Sequence, residues 1–136
     1  MNVRQLRVVV ETENYEQAVH FYRDVLGLPE ELALDSGGAR VTVLAAGRAT
    51  LELANPAQRK MIDELEVGRQ VSPRIRLAFE VQDAATTTQR LAQAGALQVA
   101  PPTRTPWNSI NARLDAPAEL HITIFEERDQ PAAPQG

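Results

Sequence analysis

The stretch NYEQAVHFYRDVLGL, residues 14–28, decides the fold. Its apolar residues recur at the three- and four-residue spacing that places them along one side of an α-helix. Asn14 can cap the first turn, with Gln17 as the second half of a capping box, and Gly27 can end the helix in a left-handed conformation. The stretch therefore predicts one helix with a buried stripe. That stripe consists of Ala18, Val19, Phe21, Tyr22, Val25 and Leu26.

Short strand-like runs lie on both sides of this predicted helix. The β-branched run LRVVV, residues 6–10, precedes it. Three further strands are predicted at residues 30–34, 40–45 and 50–54, with Ser36-Gly37-Gly38 and Gly47 as turns between them. The order of elements in the first half is therefore βαβββ.

The second half of the chain repeats this order. A strand is predicted at residues 75–81, then a helix at 84–94 that begins after Asp83 and ends at Gly95. Three strands follow, at residues 97–100, 109–114 and 120–126. We therefore predict a single α+β domain over residues 1–128, made of two tandem βαβββ modules. Module one is 1–55, a partly helical connector (helix near 57–65) is 56–73, module two is 74–128, and 129–136 is predicted to be a disordered tail.

Composition excludes several classes of function. The chain has 136 residues and no Cys, which excludes disulfides, thiolate zinc sites and cysteine nucleophiles. Its net charge is −4 and its basic residues are scattered, so we expect no nucleic-acid partner. No apolar run approaches the roughly 18–20 residues of a membrane helix, and no apolar segment follows Met1. We expect a cytoplasmic protein with no membrane partner.

The run FYRDVLG, residues 21–27, resembles the first-helix signature of the vicinal oxygen chelate superfamily. That superfamily includes glyoxalase I, extradiol dioxygenases, fosfomycin-resistance enzymes and bleomycin-resistance proteins. RLAFEVQD and ITIFEE in the second half resemble the same pattern more loosely. The resemblance implies a glyoxalase-like fold, in which the two modules form half-open sheets around a cavity. It also implies a homodimer, because members often build their cavities from modules of two chains.

The resemblance further implies four metal-ligand positions, on the first and last strand of each module. Carried over to this chain, they fall on Arg7, Glu52, Arg76 and Thr123. Only Glu52 is a plausible ligand, because Arg stays protonated and offers no lone pair. We therefore expect no metal and no other cofactor, and the alternative is one divalent metal at a shifted site.

Strand alternation predicts which residues share a face. If Arg7 faces the cavity, Val8 and Val10 face the helices. In the second module, alternation assigns two sets of side chains to opposite faces. The helix-facing set is Ile75, Leu77, Phe79, Val81, Ile110, Ala112, Leu114, Ile122 and Ile124, and the cavity-facing set includes Arg76, Asn111, Arg113, His121, Thr123 and Phe125. The candidate ligand-binding residues are Arg7, Glu52, Arg76, Trp107, Asn111, Arg113, His121, Thr123 and Phe125.

Each candidate has a structural interpretation beside the functional one. The Arg and Glu residues could form an ion-pair cluster that only supports the fold, or one Arg could bind an anionic oxygen of a ligand. His121 could be a hydrogen-bonded strand residue or, with Glu52, take part in proton transfer. Trp107 could be a hydrophobic plug or a stacking wall for a planar ligand.

Three functions remain open at this point. The first is a metal-free binding protein that sequesters a small, planar or anionic molecule. The second is a metal-dependent glyoxalase-like lyase, isomerase or dioxygenase that uses Glu52 and His121. The third is a structural or regulatory homodimer with a vestigial cavity. We favour the first, because binding needs no reactive group.

Overall fold

The computed structural model describes residues 4–5, 7–50, 52 and 54–128. It confirms the α+β class, with six strands in two sheets. The elements, in chain order, are α1 (Tyr15–Val19), a π-helical turn (His20–Val25), β1 (Glu30–Ser36), β2 (Ala39–Leu44), α2 (Pro56–Glu66), β3 (Leu77–Glu80), α3 (Ala84–Gln93), β4 (Leu97–Arg104), β5 (Ser109–Ala116) and β6 (Leu120–Glu127).

The second half forms a four-stranded sheet in the order β3-β6-β5-β4. β3 runs parallel to β6, with Ala78 opposite Thr123, whereas the β6–β5 and β5–β4 pairs are antiparallel. The predicted order of elements along this half of the chain is confirmed, and β4 continues beyond its predicted end to Arg104.

The hydrophobic core lies on one side of this sheet. α3 and the π-helical turn pack there, and the predicted burial of Phe21 and Tyr22 is confirmed. The Tyr22 hydroxyl donates a hydrogen bond to the Pro117 carbonyl in the β5–β6 turn, at 2.9 Å. Most of the strand residues that alternation assigned to the helices supply the rest of the core: Ala112, Leu114, Ile122 and Ile124, with Leu77, Phe79, Val81 and Ile110 against them. Ile75, assigned to the same side, precedes β3 and is 71% exposed, so that assignment is wrong.

α2 lies against β4 and β5. Asn55 caps it by accepting a hydrogen bond from the Gln58 amide at 2.9 Å, and Pro56 occupies the first turn. The two residues that α2 buries are Asp63 and Glu66. This helix therefore presents carboxylates to its neighbours.

The first half differs from its prediction. β1 and β2 form a two-stranded antiparallel hairpin, but residues 7–10 and 50, 52 and 54 form no strand. Val8 and Val10 are exposed and Val9 is 89% exposed, so the predicted burial of Val8 and Val10 is wrong. Alternation assigns faces only to a strand that has neighbours, and residues 7–10 have none among the described residues. Leu6, Leu51, Leu53 and the predicted tail at 129–136 lie outside the described residues.

The helix ends show which of the predicted capping interactions form. Asn14 precedes α1 but makes no side-chain capping hydrogen bond, so the predicted capping box is wrong. Gly27 and Gly95 have φ of +92° and +112°, which confirms both predicted left-handed helix ends. Asp83 caps α3 as predicted, accepting a hydrogen bond from the Thr86 amide at 3.0 Å. Of the helices described, none has the length and apolar character needed to span a bilayer.

Candidate functional site

Five of the predicted site residues meet on the side of the second sheet that faces away from α3. Asn111 and Arg113 lie on β5, His121 and Thr123 on β6, and Arg76 immediately before β3. All are buried except Arg76, which is half-buried. We call these five residues the polar face. They meet because alternate side chains of adjacent strands project from the same side of a sheet.

Arg113 is the centre of the polar face and is fully buried. Its Nε donates to Glu66 Oε1 at 2.8 Å, and its Nη1 donates to Asp63 Oδ1 at 3.1 Å. Nη1 also lies 3.2 Å from His121 Nε2. The other terminal nitrogen, Nη2, is buried without a hydrogen-bond partner among the described residues. Arg113 therefore pairs with two carboxylates of α2 and keeps one uncommitted donor.

The Glu66 carboxylate is held at both oxygens. Asn111 Nδ2 donates to Oε2 at 2.7 Å while Arg113 Nε donates to Oε1. Asn111 is oriented by Ser109, whose hydroxyl donates to Asn111 Oδ1 at 2.7 Å. Asn111 and Arg113 thus form a site that binds a carboxylate through one donor to each oxygen.

Asp63 accepts hydrogen bonds from the segment that follows α2. The amides of Val71 and Ser72 donate to Oδ2 at 2.9 Å each, and the Ser72 hydroxyl donates to Oδ1 at 2.6 Å. Burial by itself would raise the pKa of this carboxyl, but the hydrogen bonds from Ser72, Val71 and Arg113 outweigh it. The pKa of Asp63 falls to about 2, from an ordinary 3.8.

His121 has both ring nitrogens in hydrogen bonds. Nδ1 lies 3.0 Å from Asp115 Oδ1, and Nε2 faces Arg113 Nη1. A guanidinium can only donate, so the tautomer that carries its proton on Nδ1 satisfies both contacts. His121 is thus a bridge between Arg113 and the exposed Asp115.

Arg76 and Thr123 contact each other directly. Arg76 Nη1 donates to Thr123 Oγ1 at 2.6 Å. In the part of the chain that is described, Arg76 forms no ion pair. Burial lowers the pKa of its guanidinium, and the positive charge of Arg113 lowers it further. Arg76 is therefore a partly desolvated cation without a carboxylate in contact.

The residues at the four implied ligand positions do not fit a divalent metal. Arg76 and Thr123 bond to each other and present a cation where a metal needs lone pairs. Arg7 is exposed, with a single side-chain hydrogen bond to Gln5, and Glu52 is exposed. Glu52 affects Arg76 only through its charge. Across the described ranges, no three His, Cys, Asp or Glu side chains are grouped so that they could hold a metal ion.

The two aromatic candidates lie outside this hydrogen-bond network. Phe125 is half-buried on β6 and pairs in register with Asn111, so it shares the side of the polar face. Trp107 lies in the β4–β5 turn and is 47% exposed, so the structure does not support a hydrophobic plug.

Asp63 and Glu66 are the residues that sequence reasoning missed. Asp63 lies in the predicted helix at 57–65 and Glu66 directly follows it. A helix one residue longer places both, at a spacing of three positions, on one side, facing the predicted face that carries Arg113. That spacing was the available signal. The rule that apolar residues face inward predicts the other side of this helix, with Met61 and Leu65 buried, but both are exposed.

A separate open cleft of about 450 Å³ lies between α1 with its π-helical turn and the β1–β2 hairpin. None of the predicted site residues lines it. Its charged side chains pair among themselves, for example Arg40 with Glu16 and Arg23 with Glu30.

A family model described as Glyoxalase/Bleomycin resistance protein/Dioxygenase superfamily matches residues 4–130. No curated protein sequence gives a significant match. Solved structures with a similar fold include TnmS3, an antibiotic binding protein from Streptomyces sp. CB03234, at 19% identity and a TM-score of 0.61, covering 94% of this chain and 99% of that chain.

Two further structures extend the comparison. UcmS2 has 18% identity and a TM-score of 0.61, with 92% of this chain and 98% of that chain covered. A glyoxalase-related enzyme from Fulvimarina pelagi has 18% identity and a TM-score of 0.56, with 98% and 94% covered. At these identities the likeness shows the fold alone.

Proposed function

Because this chain belongs to the Glyoxalase/Bleomycin resistance protein/Dioxygenase superfamily, we propose that it is a metal-free binding protein for a small, planar or anionic molecule. The observation that carries the proposal is Arg76, a half-buried guanidinium that contacts Thr123 and no carboxylate of the described chain. It stands at the edge of the polar face, where it is accessible to a ligand.

The chemistry of a guanidinium supports an anionic ligand. It remains protonated, and its planar donors match two oxygens of a carboxylate or phosphate. A partly desolvated cation gains more from an anionic partner than an exposed one does. Phe125, on the same side of the sheet, adds an apolar surface for the planar part of a ligand.

The polar face itself favours binding over catalysis. Both nitrogens of His121 are committed to Asp115 and Arg113. Glu52, its proposed partner in the enzymatic alternative, is exposed and outside the hydrogen-bond network. The antibiotic-binding role stated for TnmS3 supports sequestration as a function that this fold can perform. The Fulvimarina pelagi protein is an enzyme of the same fold, so the fold alone does not distinguish binding from catalysis and the argument depends on the residues of the site.

We include a homodimer in the proposal. Val8, Val9 and Val10 are exposed, as are Leu32 and Leu34 on β1. Three consecutive exposed valines form the kind of apolar surface that an interface between chains would cover. We retain a cytoplasmic location as a prediction from the sequence.

The test combines a metal assay with ligand titration. We expect the protein, purified without chelator and re-equilibrated with zinc, iron, manganese and nickel, to hold less than about a tenth of an equivalent of any of them. We expect benzoate to bind in calorimetric titration, and Arg76→Met to weaken it about tenfold or more, because charged hydrogen bonds are lost. Arg90→Met, an exposed change on α3, is the control.

Two results would overturn the proposal. Close to one equivalent of a metal would favour the metal-dependent lyase, isomerase or dioxygenase that uses Glu52 and His121. Equal benzoate affinity in Arg76→Met and Arg90→Met would show that Arg76 does not bind the ligand.

A further inference from the structure

The side chains that α2 buries against the sheet are charged and not apolar. Asp63 and Glu66 are its two buried residues, while Met61 and Leu65 are 48% and 40% exposed. α3, on the other side of the sheet, buries Ala84 and Leu91 instead. The two helices are thus bound to the same sheet by different forces.

The hydrogen bonds of α2 divide it and the sheet into two separable parts. Asp63 is bonded to Val71 and Ser72, so residues 55–72 form one locally connected segment, which we call the α2 unit. Every hydrogen bond from the α2 unit to the sheet that the described residues make ends on Asn111 or Arg113. The hydrogen bonds between the unit and the sheet therefore depend on two side chains.

Glu66 occupies the Asn111–Arg113 site as a ligand carboxylate would, with one donor on each oxygen. A second, independent observation indicates that this site has a hydrogen-bond donor that Glu66 does not use. Arg113 is fully buried, and its Nη2 has no partner among the residues described. A buried guanidinium nitrogen without an acceptor is costly, and an oxygen of a bound molecule would satisfy it.

We propose that Asn111 and Arg113 form a carboxylate-binding site that Glu66 fills in the unliganded protein. A ligand carboxylate replaces Glu66 there and releases the α2 unit. This inference rests on the proposed function and specifies it. The carboxylate takes the place of Glu66 on Asn111 and Arg113, and Arg76, which is bonded to the cross-strand neighbour of Arg113, supplies the adjacent positive charge. Release without an incoming anion would leave Arg113 as an unpaired buried cation, so ligand binding and release are coupled.

The experiment uses benzoate, with benzamide as its uncharged counterpart, and hydrogen exchange of the full chain. In the wild-type protein, benzoate should increase amide exchange in α2 and leave α3 unchanged, and benzamide should have no effect. Glu66→Gln should increase amide exchange in α2 without ligand. The NH2 group of Gln would face either Asn111 Nδ2 or Arg113 Nε, both of which are donors, so one of the two hydrogen bonds is lost. Glu66→Gln should also bind benzoate about tenfold more tightly, since the competing carboxylate is gone.

Glu64→Gln is the matched control, since Glu64 is exposed on the same helix and, among the described residues, its side chain bonds to Gln70 and not to the sheet. It should match the wild-type protein in exchange and affinity. Equal α2 exchange in Glu66→Gln and Glu64→Gln would overturn the inference without any ligand. Benzoate binding to wild type with unchanged α2 exchange would overturn it and leave the proposed function intact. Failure of benzoate to bind any variant, Glu66→Gln included, would overturn both.

Discussion

Replacing Asp63 with Asn tests how much the buried ion pairs stabilise the protein. The Asp63 carboxylate accepts four hydrogen bonds, from the amides of Val71 and Ser72, the Ser72 hydroxyl and Arg113 Nη1. The amide of Asn has one acceptor oxygen, and its NH2 group would face the donors that bond to the second carboxylate oxygen of Asp63. It also leaves Arg113 with Glu66 as its remaining carboxylate. We therefore expect Asp63→Asn to be destabilising at neutral pH by about 2–4 kcal/mol.

The dependence of this effect on pH follows from the lowered pKa. The folded-state pKa of Asp63 is about 2, against an ordinary value of 3.8 for the unfolded chain. A shift of this size corresponds to about 2 kcal/mol of stability. Because the folded pKa is the lower one, this contribution is fully present above pH 3.8 and is lost as pH falls towards 2. At pH 3 about 1 kcal/mol of it has been lost.

Urea unfolding at pH 6 and pH 3, followed by Trp107 fluorescence and far-UV circular dichroism, measures the contribution of the Asp63 carboxylate to the free energy of unfolding. The difference in unfolding free energy between wild type and Asp63→Asn should shrink by about 1 kcal/mol from pH 6 to pH 3. Gln58→Ala, at an exposed position of α2 that carries no titratable group, is the control and should keep a constant difference. A constant or widening difference for Asp63→Asn would refute the reasoning.

Two further predictions concern the core and the first half. Tyr22→Phe should lower the free energy of unfolding by about 1 kcal/mol in urea, since it leaves the Pro117 carbonyl without its donor; an unchanged value would show that water replaces the hydroxyl. Light scattering should give twice the mass of the chain, and Val9→Glu should reduce it towards one chain, because a charge at an apolar interface is unfavourable. A monomeric wild type would contradict the proposed dimer.

The second module could be predicted from sequence because one side of its sheet is apolar throughout. Ala112, Leu114, Ile122 and Ile124 alternate with polar residues, and a helix covers them. Alternation then assigns the opposite side as well, and it places Arg113 and Thr123 on one face. It assigns Arg76 to that face too, and the structure adds that Arg76 and Thr123 are hydrogen-bonded.

The first module could not be predicted in the same way. The β-branched residues of 7–10 favour an extended chain, but their burial depends on a neighbouring strand. No described strand pairs with them, and Val9 remains 89% exposed. Sequence pattern predicts the local conformation of such a segment and does not supply its partner.

Asp63 and Glu66 escaped prediction for a different physical reason. Carboxylates are rarely buried unless they are paired, so an isolated helix with Met61 and Leu65 is expected to turn those two residues inward. The presence of Arg113 reverses this preference, because two carboxylates compensate its buried charge. Only the contact between two distant parts of the chain decides which side of α2 faces the sheet.

The balance of charge between the polar face and α2 connects the stability of the protein with the proposed selectivity for anions. Arg76 and Arg113 are positive, and Asp63 and Glu66 are negative, so the four sum to zero while α2 is in place. Separating Arg113 from α2 would leave a buried guanidinium without its carboxylates, so another anion has to replace them. A neutral planar molecule offers no such compensation. The ion pairs that hold α2 against the sheet are thus also what would exclude uncharged molecules from the site.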